Sequence, residues 1–535
     1  MKTIQNPVLR GFNPDPSILR VGDDYYIATS TFEWFPGVQI HHSRDLRHWR
    51  LVARPLDRRS QLDMLGNPDS GGIWAPCLSW SETEGLFYLV YTDVKSHIGP
   101  FKDTHNYLVT APGIEGPWSE PVYLNSSGFD PSLFHDDDGR KWLVNMIWDY
   151  RKGKNKFAGI ALQEYSPEQK RLVGPIRNIF RGTPLGLTEG PHLYKRDGWY
   201  YLVTAEGGTR FNHAVTVARS RSLFGPYEVD PENPVLTAKD NPGLELQRAG
   251  HASLVGTQTG EWYFAFLCGR PLRPSQRCVL GRETALIPVE WTEDGWLRPA
   301  GGRHPKPEVP APDLPDHPFP PEPETDHFDG DRISIHFQTL REPPDESWAS
   351  LAARPGYLRL TGRESLSSKH RQSLVARRQQ AFVAEAETAV EFEPDTFQQL
   401  AGLIHYYNTR NYHYLYISRD EEAGKCLNIM SSDRGLYDEP LERPVSVEGW
   451  DRVHLKASLD HDRLQFHYSR DGRAWTPIGP ALDASIVSDE NAEAKLEGRM
   501  IDQGFTGAFL GICVQDLSGQ GKHADFDYFT YRERG

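Results

Sequence analysis

The sequence is poor in the features that mark several large classes of protein. Only five of its 535 residues are cysteine, and Cys77, Cys268, Cys278, Cys426 and Cys513 are scattered, with no two in C-x-x-C spacing. An odd, dispersed set supports neither a disulfide framework nor a zinc site and fits a reducing, cytoplasmic compartment. No run of 18 apolar residues occurs, so no segment is expected to cross a membrane as a helix. The opening residues, MKTIQNPVLRGFNPDPS, lack the apolar stretch of a secretory leader. Long basic runs are absent and the net charge is −14, which argues against nucleic acid and anionic membranes as partners. Stretches with a helical period are nearly missing as well.

What the sequence has is aromatic residues and turn formers: 24 Phe, 23 Tyr and 14 Trp, with 47 Gly and 41 Pro. Many of the rings must pack a core, but Trp and Tyr also stack well on the C–H faces of sugars. Five short segments resemble one another: Asp15-Pro16-Ser17-Ile18, Ala75-Pro76-Cys77-Leu78, Asp130-Pro131-Ser132-Leu133, Gly190-Pro191-His192-Leu193 and His251-Ala252-Ser253-Leu254. Their second residues fall at 16, 76, 131, 191 and 252, at intervals of 60, 55, 60 and 61. An aromatic strand follows each, among them DDYYIATS from Asp23, GLFYLVYTD from Gly85 and DGWYYLVTAEG from Asp197. A turn rich in Gly, Asp or Glu precedes these strands, as in a hairpin. Five such meanders predict a five-bladed β-propeller over residues 1–304. The alternative, a β-sandwich with accidental internal similarity, does not explain the even spacing.

Residues 305–323 contain nine prolines in nineteen positions. Such a segment favours extended backbone and packs no core of its own, so 305–324 is expected to be a linker lying against one domain. Beyond it, over 325–535, alternating runs such as YLRLTG from Tyr357, HYLYISRD from His413 and RVHLKASLD from Arg452 predict an antiparallel β-sandwich of concanavalin-like or jelly-roll type. The fold class is all-β.

Equivalent positions in successive blades ring a propeller's axis at one end. The repeat segments should therefore bring Asp15, Trp74, Asp130, Glu189 and His251 to one pocket. A lone Asp-Pro-Ser is usually just a turn. Three carboxylates converging with a histidine and a tryptophan are poor choices for packing, because buried charge is costly unless it is compensated or used. Glycoside hydrolysis needs two carboxyl groups flanking the bond, one protonated and one ionised. Glu189 and Asp15 can fill these roles, and Asp130 can raise the acid's pKa by like-charge repulsion. Trp74 can form an apolar wall.

The segments FNPDPS, WAPCLSW, FDPSLF, TEGPHLYK and GHASL together resemble those of glycoside hydrolase family 43, in particular its two-domain β-xylosidases, along nearly the whole chain. The resemblance implies a five-bladed propeller, Asp15 as general base, Glu189 as general acid, and Asp130 as the residue that tunes and orients that acid. It implies inversion of configuration, with the two carboxylates about 6.5–9.5 Å apart. By the same resemblance Phe32, Trp74, Phe129 and Trp148 form an aromatic wall. Arg282, in LGRET, holds sugar hydroxyls near the modulating Asp; a surface salt bridge is the bland alternative. His251 lies beneath the pocket, where some relatives bind a metal; a satisfied core histidine is as good a reading, and no catalytic metal or organic cofactor is expected. Phe505, in DQGFTGAF, matches an aromatic residue that reaches from the sandwich and closes one side of the pocket, giving exo-action on chain ends, whereas Phe509 is expected in the core. A carbohydrate-binding module is the alternative reading of the sandwich.

The activity this implies is release of xylose from 1,4-β-xylo-oligosaccharides by a cytoplasmic homo-oligomer. α-L-Arabinofuranosidase action, a catalytically dead sugar-binding protein and a structural propeller scaffold are the rivals. Two acidic clusters have other readings. His135-Asp136-Asp137-Asp138-Gly139 is expected to be a solvated hairpin turn. Asp329, Asp331, Asp525 and Asp527 are candidate ligands of a structural calcium ion.

Overall fold

The computed structural model describes residues 2–497 and 499–534; residues 1 and 535, the outermost of the two expected domains, lie outside it. Five antiparallel sheets, each built from one continuous stretch of chain, form the blades. Their innermost strands are Ser17–Val21, Gly72–Ser81, Ser132–His135, Glu189–Arg196 and Gln247–Gly256, and these carry or directly follow the five repeated segments. The aromatic strand of each repeat is the second strand of its blade, paired antiparallel to the first. It is packed by neighbouring blades on both faces, which is why Trp262–Gly269 is buried along nearly its whole length instead of alternating as a one-sided strand would.

Small polar groups close the ring. Ser253 Oγ in blade five accepts the Ile18 amide of blade one at 2.9 Å and donates to the Pro16 carbonyl at 2.8 Å. The chain start is stitched to blade five, since Asn6 Nδ2 donates to the carbonyls of Leu286 and Lys306 at 2.8 and 2.9 Å. The proline-rich segment is no loose tether: Glu308–Pro310 pairs antiparallel with Thr3–Gln5, and Val309 and Leu314 are buried in the core shared by blades one, four and five.

The C-terminal domain is a two-sheet sandwich. Its eight-stranded sheet centres on Val383–Glu391, Val453–Asp460 and His523–Glu533, and its nine-stranded sheet on Gln399–Asn408, Asn411–Asp420 and Phe509–Asp516. Helix among the described residues is confined to Asp489–Ala492 and a single 3-10 turn, Ala484–Ile486. None of these helices is long and apolar enough to cross a membrane.

The nine-stranded sheet does not end in its own domain. Its last member is Trp34–Phe35 of blade one, paired with Gln338–Leu340. Trp34, fully buried, stacks on Phe509 with centroids 3.7 Å apart and planes 13° apart. One apolar cluster therefore runs from the pocket wall (Phe32, Trp74, Phe129) into the sandwich (Leu374, Tyr406, Phe509). Phe509 is core, as expected. Trp34→Ala should cost about 3–5 kcal/mol, the usual range for emptying such a site, read as a lower denaturation midpoint followed by tryptophan fluorescence.

The calcium expectation does not find its ligand set. Asp525 is bonded to Arg359 at 2.7 Å and Arg354 at 3.0 Å, and Asp527 to Arg452 at 2.8 Å. Guanidinium groups thus occupy the place of a cation, and Asp329 and Asp331 are exposed. Among the described residues no group of three or more His, Cys, Asp or Glu side chains could hold a metal ion. In the His135–Gly139 turn, Gly139 N closes back on the Asp136 carbonyl, and Lys195 pairs with Asp136 and Asp137.

Candidate active site

The five repeat segments share a backbone feature. Asp15, Ala75, Asp130, Gly190 and His251 all have positive φ, at 57°, 37°, 56°, 57° and 46°. Each is the residue before the Pro or Ala that opens the inner-strand motif. A left-handed residue turns the chain sharply at the axial end of the blade. Gly adopts that conformation freely, Asp and His tolerate it better than most types, and each non-Gly case costs on the order of 1 kcal/mol or more. In blades two, four and five the inner strand also carries a register shift at this point, and such bulges re-aim side chains beside functional sites. The segments therefore deliver side chains from two positions. Asp15, Asp130 and His251 stand on the left-handed residue; Trp74 and Glu189 stand one residue before it. Gly190 has a second reason to lack a side chain, because a Cβ there would lie 3.0 Å from the His251 ring.

One cavity is lined by Asp15, Phe32, Trp74, Phe129, Asp130, Glu189, Thr209, His251, Arg282 and Phe505. Nine of these are sequence candidates. The tenth, Thr209, donates no recognisable motif; it follows the Gly207-Gly208 turn and accepts a hydrogen bond from Arg282 at 2.9 Å. The remaining candidate, Trp148, does not line the cavity. It sits behind and beside Phe129, 6.4 Å between centroids, with its indole N–H donated to the Pro100 carbonyl at 2.9 Å.

Asp15 is held from several sides. Ser30 Oγ donates to Oδ2 at 2.7 Å, Arg282 Nη1 donates to Oδ1 at 3.1 Å, and His251 Nδ1 stands 3.7 Å away. Ser30, absent from the sequence candidates, also accepts the Ala75 amide at 2.8 Å and so joins blades one and two beneath the base. Arg282 is only 4% exposed. It is a buried partner of Asp15, and its charge also acts on Asp130, the residue the resemblance had set it near. Asp130 reaches its neighbour through the backbone, Oδ2 accepting the Gly190 amide at 3.0 Å.

The electrostatics separate the carboxyl groups. Burial opposes ionisation of Asp15, but Arg282, His251 and the Ser30 hydroxyl outweigh it and hold its pKa below the ordinary value. At Glu189 burial acts first, and the charges of Asp130 and Asp15 add to it, so its pKa stands well above the usual carboxyl range. Asp130 is pushed up to about 6, chiefly by burial and with Asp15 adding to it, against the pull of His251 and the Gly190 amide. The two displacements run in opposite directions, favouring the ionised form at Asp15 and the protonated form at Glu189. Two titratable groups with pKa values driven apart are the signature of paired acid and base function.

The sandwich supplies the last wall. Phe505 lies 6.0 Å from Phe32 and 5.6 Å from Trp74, ring to ring. Its loop is fixed at both faces: Phe505 N donates to Ser70 Oγ at 3.1 Å and its carbonyl accepts Arg282 Nη2 at 3.0 Å. Ser70 in turn accepts the Trp74 indole N–H on its carbonyl at 2.9 Å, so one residue positions two rings of the pocket.

Residues 4–297 match the sequence pattern of Glycosyl hydrolases family 43, and residues 325–532 match the Beta xylosidase C-terminal Concanavalin A-like domain. The chain belongs to glycoside hydrolase family 43. Among family 43 relatives, it is 53% identical to a xylosidase/arabinosidase 43B of Humicola insolens, over 99% of this chain and 98% of that one. It is 51% identical to a β-xylosidase of Bacillus subtilis strain 168, over 99% and 100%. The crystal structure of a xylan β-1,4-xylosidase from Bacillus halodurans C-125 superposes with a TM-score of 0.96 at 60% identity, covering 99% of this chain and all of that one. The match spans both domains, so the family 43 catalytic propeller and its sandwich form the shared unit.

Proposed function

We propose that this family 43 glycoside hydrolase is an exo-acting β-xylosidase that removes xylose from the non-reducing ends of 1,4-β-xylo-oligosaccharides with inversion of configuration. The observation that carries the reading is the convergence of Asp15, Asp130 and Glu189 in one aromatic-walled cavity, with Arg282 bonded to Asp15 alone among the three. Asp15, ionised, takes a proton from the attacking water as it adds to the anomeric carbon. Glu189 gives its proton to the departing glycosidic oxygen in the same displacement, and Asp130 helps keep Glu189 protonated and fixes its backbone. Arg282 and the rings of Phe32, Trp74, Phe129 and Phe505 seat the terminal sugar, and Phe505 blocks extension of the chain beyond it, which restricts cleavage to ends.

Proton NMR of the enzyme digesting xylobiose tests this directly. The unit freed from the non-reducing end should be α-xylose, seen in the first minutes as α in excess of its mutarotation equilibrium. An initial excess of β-xylose would overturn inversion, and no hydrolysis of any xyloside would overturn the substrate assignment. Arabinofuranosidase action at the same pocket is a second reading, supported by the dual name of the Humicola relative; kcat/KM on the matched aryl arabinofuranoside and aryl xyloside decides between them. The five cysteines, all free and buried, support a reducing compartment, and we assign the enzyme to the cytoplasm as a homo-oligomer trimming imported oligosaccharides.

A further inference from the structure

The cavity ends at Phe129, but the aromatic surface continues. Phe157 packs edge-on against both Phe129 and Trp148, with centroids 6.2 and 5.7 Å away. The bond from the Trp148 indole to the Pro100 carbonyl ties a blade-two loop to blade three. Immediately beyond Pro100, Phe101 is 62% exposed, and its ring lies 5.0 Å from that of Tyr150, which is 53% exposed. Neither loop is slack. Lys102 Nζ donates to the His97 carbonyl at 2.5 Å and lies 4.5 Å above the Trp148 ring. Lys156 Nζ donates to the carbonyls of Tyr150 and Arg151 at 2.6 and 3.0 Å. Lys102 and Glu189 sense each other's charge, which puts this loop on the acid's side of the cavity.

We infer that Phe101 and Tyr150 form a sugar-binding platform outside the pocket, for xylosyl units on the leaving-group side of the cleaved bond, beyond the first. This rests on the xylosidase reading above. The aromatic path from Phe129 through Trp148 leads outward from the acid, the side on which the departing oligosaccharide must lie. The platform has the size of one or two sugar rings. Two aromatic side chains present a few hundred Å2 at most, against about 800 Å2 per partner in a stable protein interface. Exposed Asp103, Arg151 and Lys152 follow the two rings closely in sequence, so neither loop continues as an apolar run.

The test is Phe101→Ser/Tyr150→Ser, assayed for kcat/KM on an aryl β-xyloside, xylobiose, xylotriose and xylotetraose. The aryl xyloside and xylobiose have no second leaving-side unit and should stay within about twofold of wild type. Xylotriose and xylotetraose should fall about five- to tenfold, the loss expected for one stacking contact. Tyr150→Ser alone should shift the same ratio in the same direction by less. A ratio of xylotriose to xylobiose equal to that of wild type would overturn the platform. An equal loss on all four substrates, or a change in sedimentation mass that marks the pair as a subunit contact, would do the same. A wild-type enzyme silent on every xyloside removes the parent reading and the platform together. A working wild type with a length-blind variant removes the platform alone.

Discussion

Glu189→Gln is expected to lower kcat on xylobiose by about 10²–10⁴-fold, the usual contribution of a positioned acid, while an aryl xyloside with a good leaving group loses far less. Xylose is a poor leaving group and needs the proton; an activated phenol departs without it. Equal losses on the two substrates would remove Glu189 from the acid's role. The wild-type pH profile should show two limbs. The acid limb follows protonation of Asp15, whose pKa lies below its ordinary value, and the alkaline limb follows ionisation of Glu189, whose pKa lies well above its own. The glutamine variant should keep the first and lose the second.

The same substitution makes a stability prediction of definite sign. Below the unfolded-state pKa of Glu189, the carboxyl is protonated in both states and contributes no pH dependence. As pH rises above it, the unfolded chain releases the proton while the folded site keeps it. The unfolded state then binds fewer protons, and stability falls until the pH passes the raised folded value. Glutamine cannot ionise. Glu189→Gln should therefore match wild type in melting temperature at pH 4 and exceed it at pH 8. A protein that gains stability at alkaline pH while losing the alkaline limb of its activity has been relieved of a buried proton held for chemistry.

Much of this site was legible because a propeller turns one-dimensional spacing into convergence. Intervals of 60, 55, 60 and 61 place one segment at the axis per blade, and charged residues at those points had no packing reason to be there. The backbone reason was not legible. Trp74 and Glu189 precede the left-handed residue while Asp15, Asp130 and His251 occupy it, and only the three-dimensional path shows that both positions reach the cavity. Ser30 and Thr209 carry no motif; a lone hydroxyl becomes a site residue only through its partner, Asp15 for one and Arg282 for the other. Trp148 stands one ring behind the cavity lining for a related reason. Sequence locates it at the end of a blade-three strand, but its indole N–H is drawn to Pro100 of the neighbouring blade. Pairing of Trp34–Phe35 with the sandwich was likewise invisible, since a two-residue strand has no period.

The proline-rich segment illustrates the limit of composition. Nine prolines correctly indicate extended backbone, but extended backbone with a free edge can still pair, and Val309 and Leu314 still bury their side chains. The calcium expectation left out the counter-charges: Arg354, Arg359 and Arg452 are distant in sequence from Asp525 and Asp527, so their pairing with these carboxylates could not be read from it.

Asp15→Asn should abolish turnover of xylobiose and the aryl xyloside alike, by about 10³–10⁴-fold, at the upper end of the range for a positioned base. Activation of water is needed whatever the leaving group, so the substrate dependence seen at Glu189 should vanish, and a variant that spares the aryl xyloside would take the base's role from Asp15. Asparagine can still accept from Ser30, but it leaves Arg282, 4% exposed, without its anion. Removing one partner of a buried pair typically costs about 3–5 kcal/mol, so the variant should be less stable at neutral pH. Its acid sensitivity should move the opposite way from that of Glu189→Gln. A depressed folded pKa stabilises the protein above the unfolded value near 3.8, and that stabilisation is lost as pH falls through the lower folded value. Asp15→Asn should therefore lack this part of the wild-type acid transition. Adding Arg282→Met to Asp15→Asn removes the stranded charge and should recover part of the lost stability with no recovery of activity. Recovery of turnover in the double variant would mean that the single variant failed by distortion, and that the water is activated elsewhere.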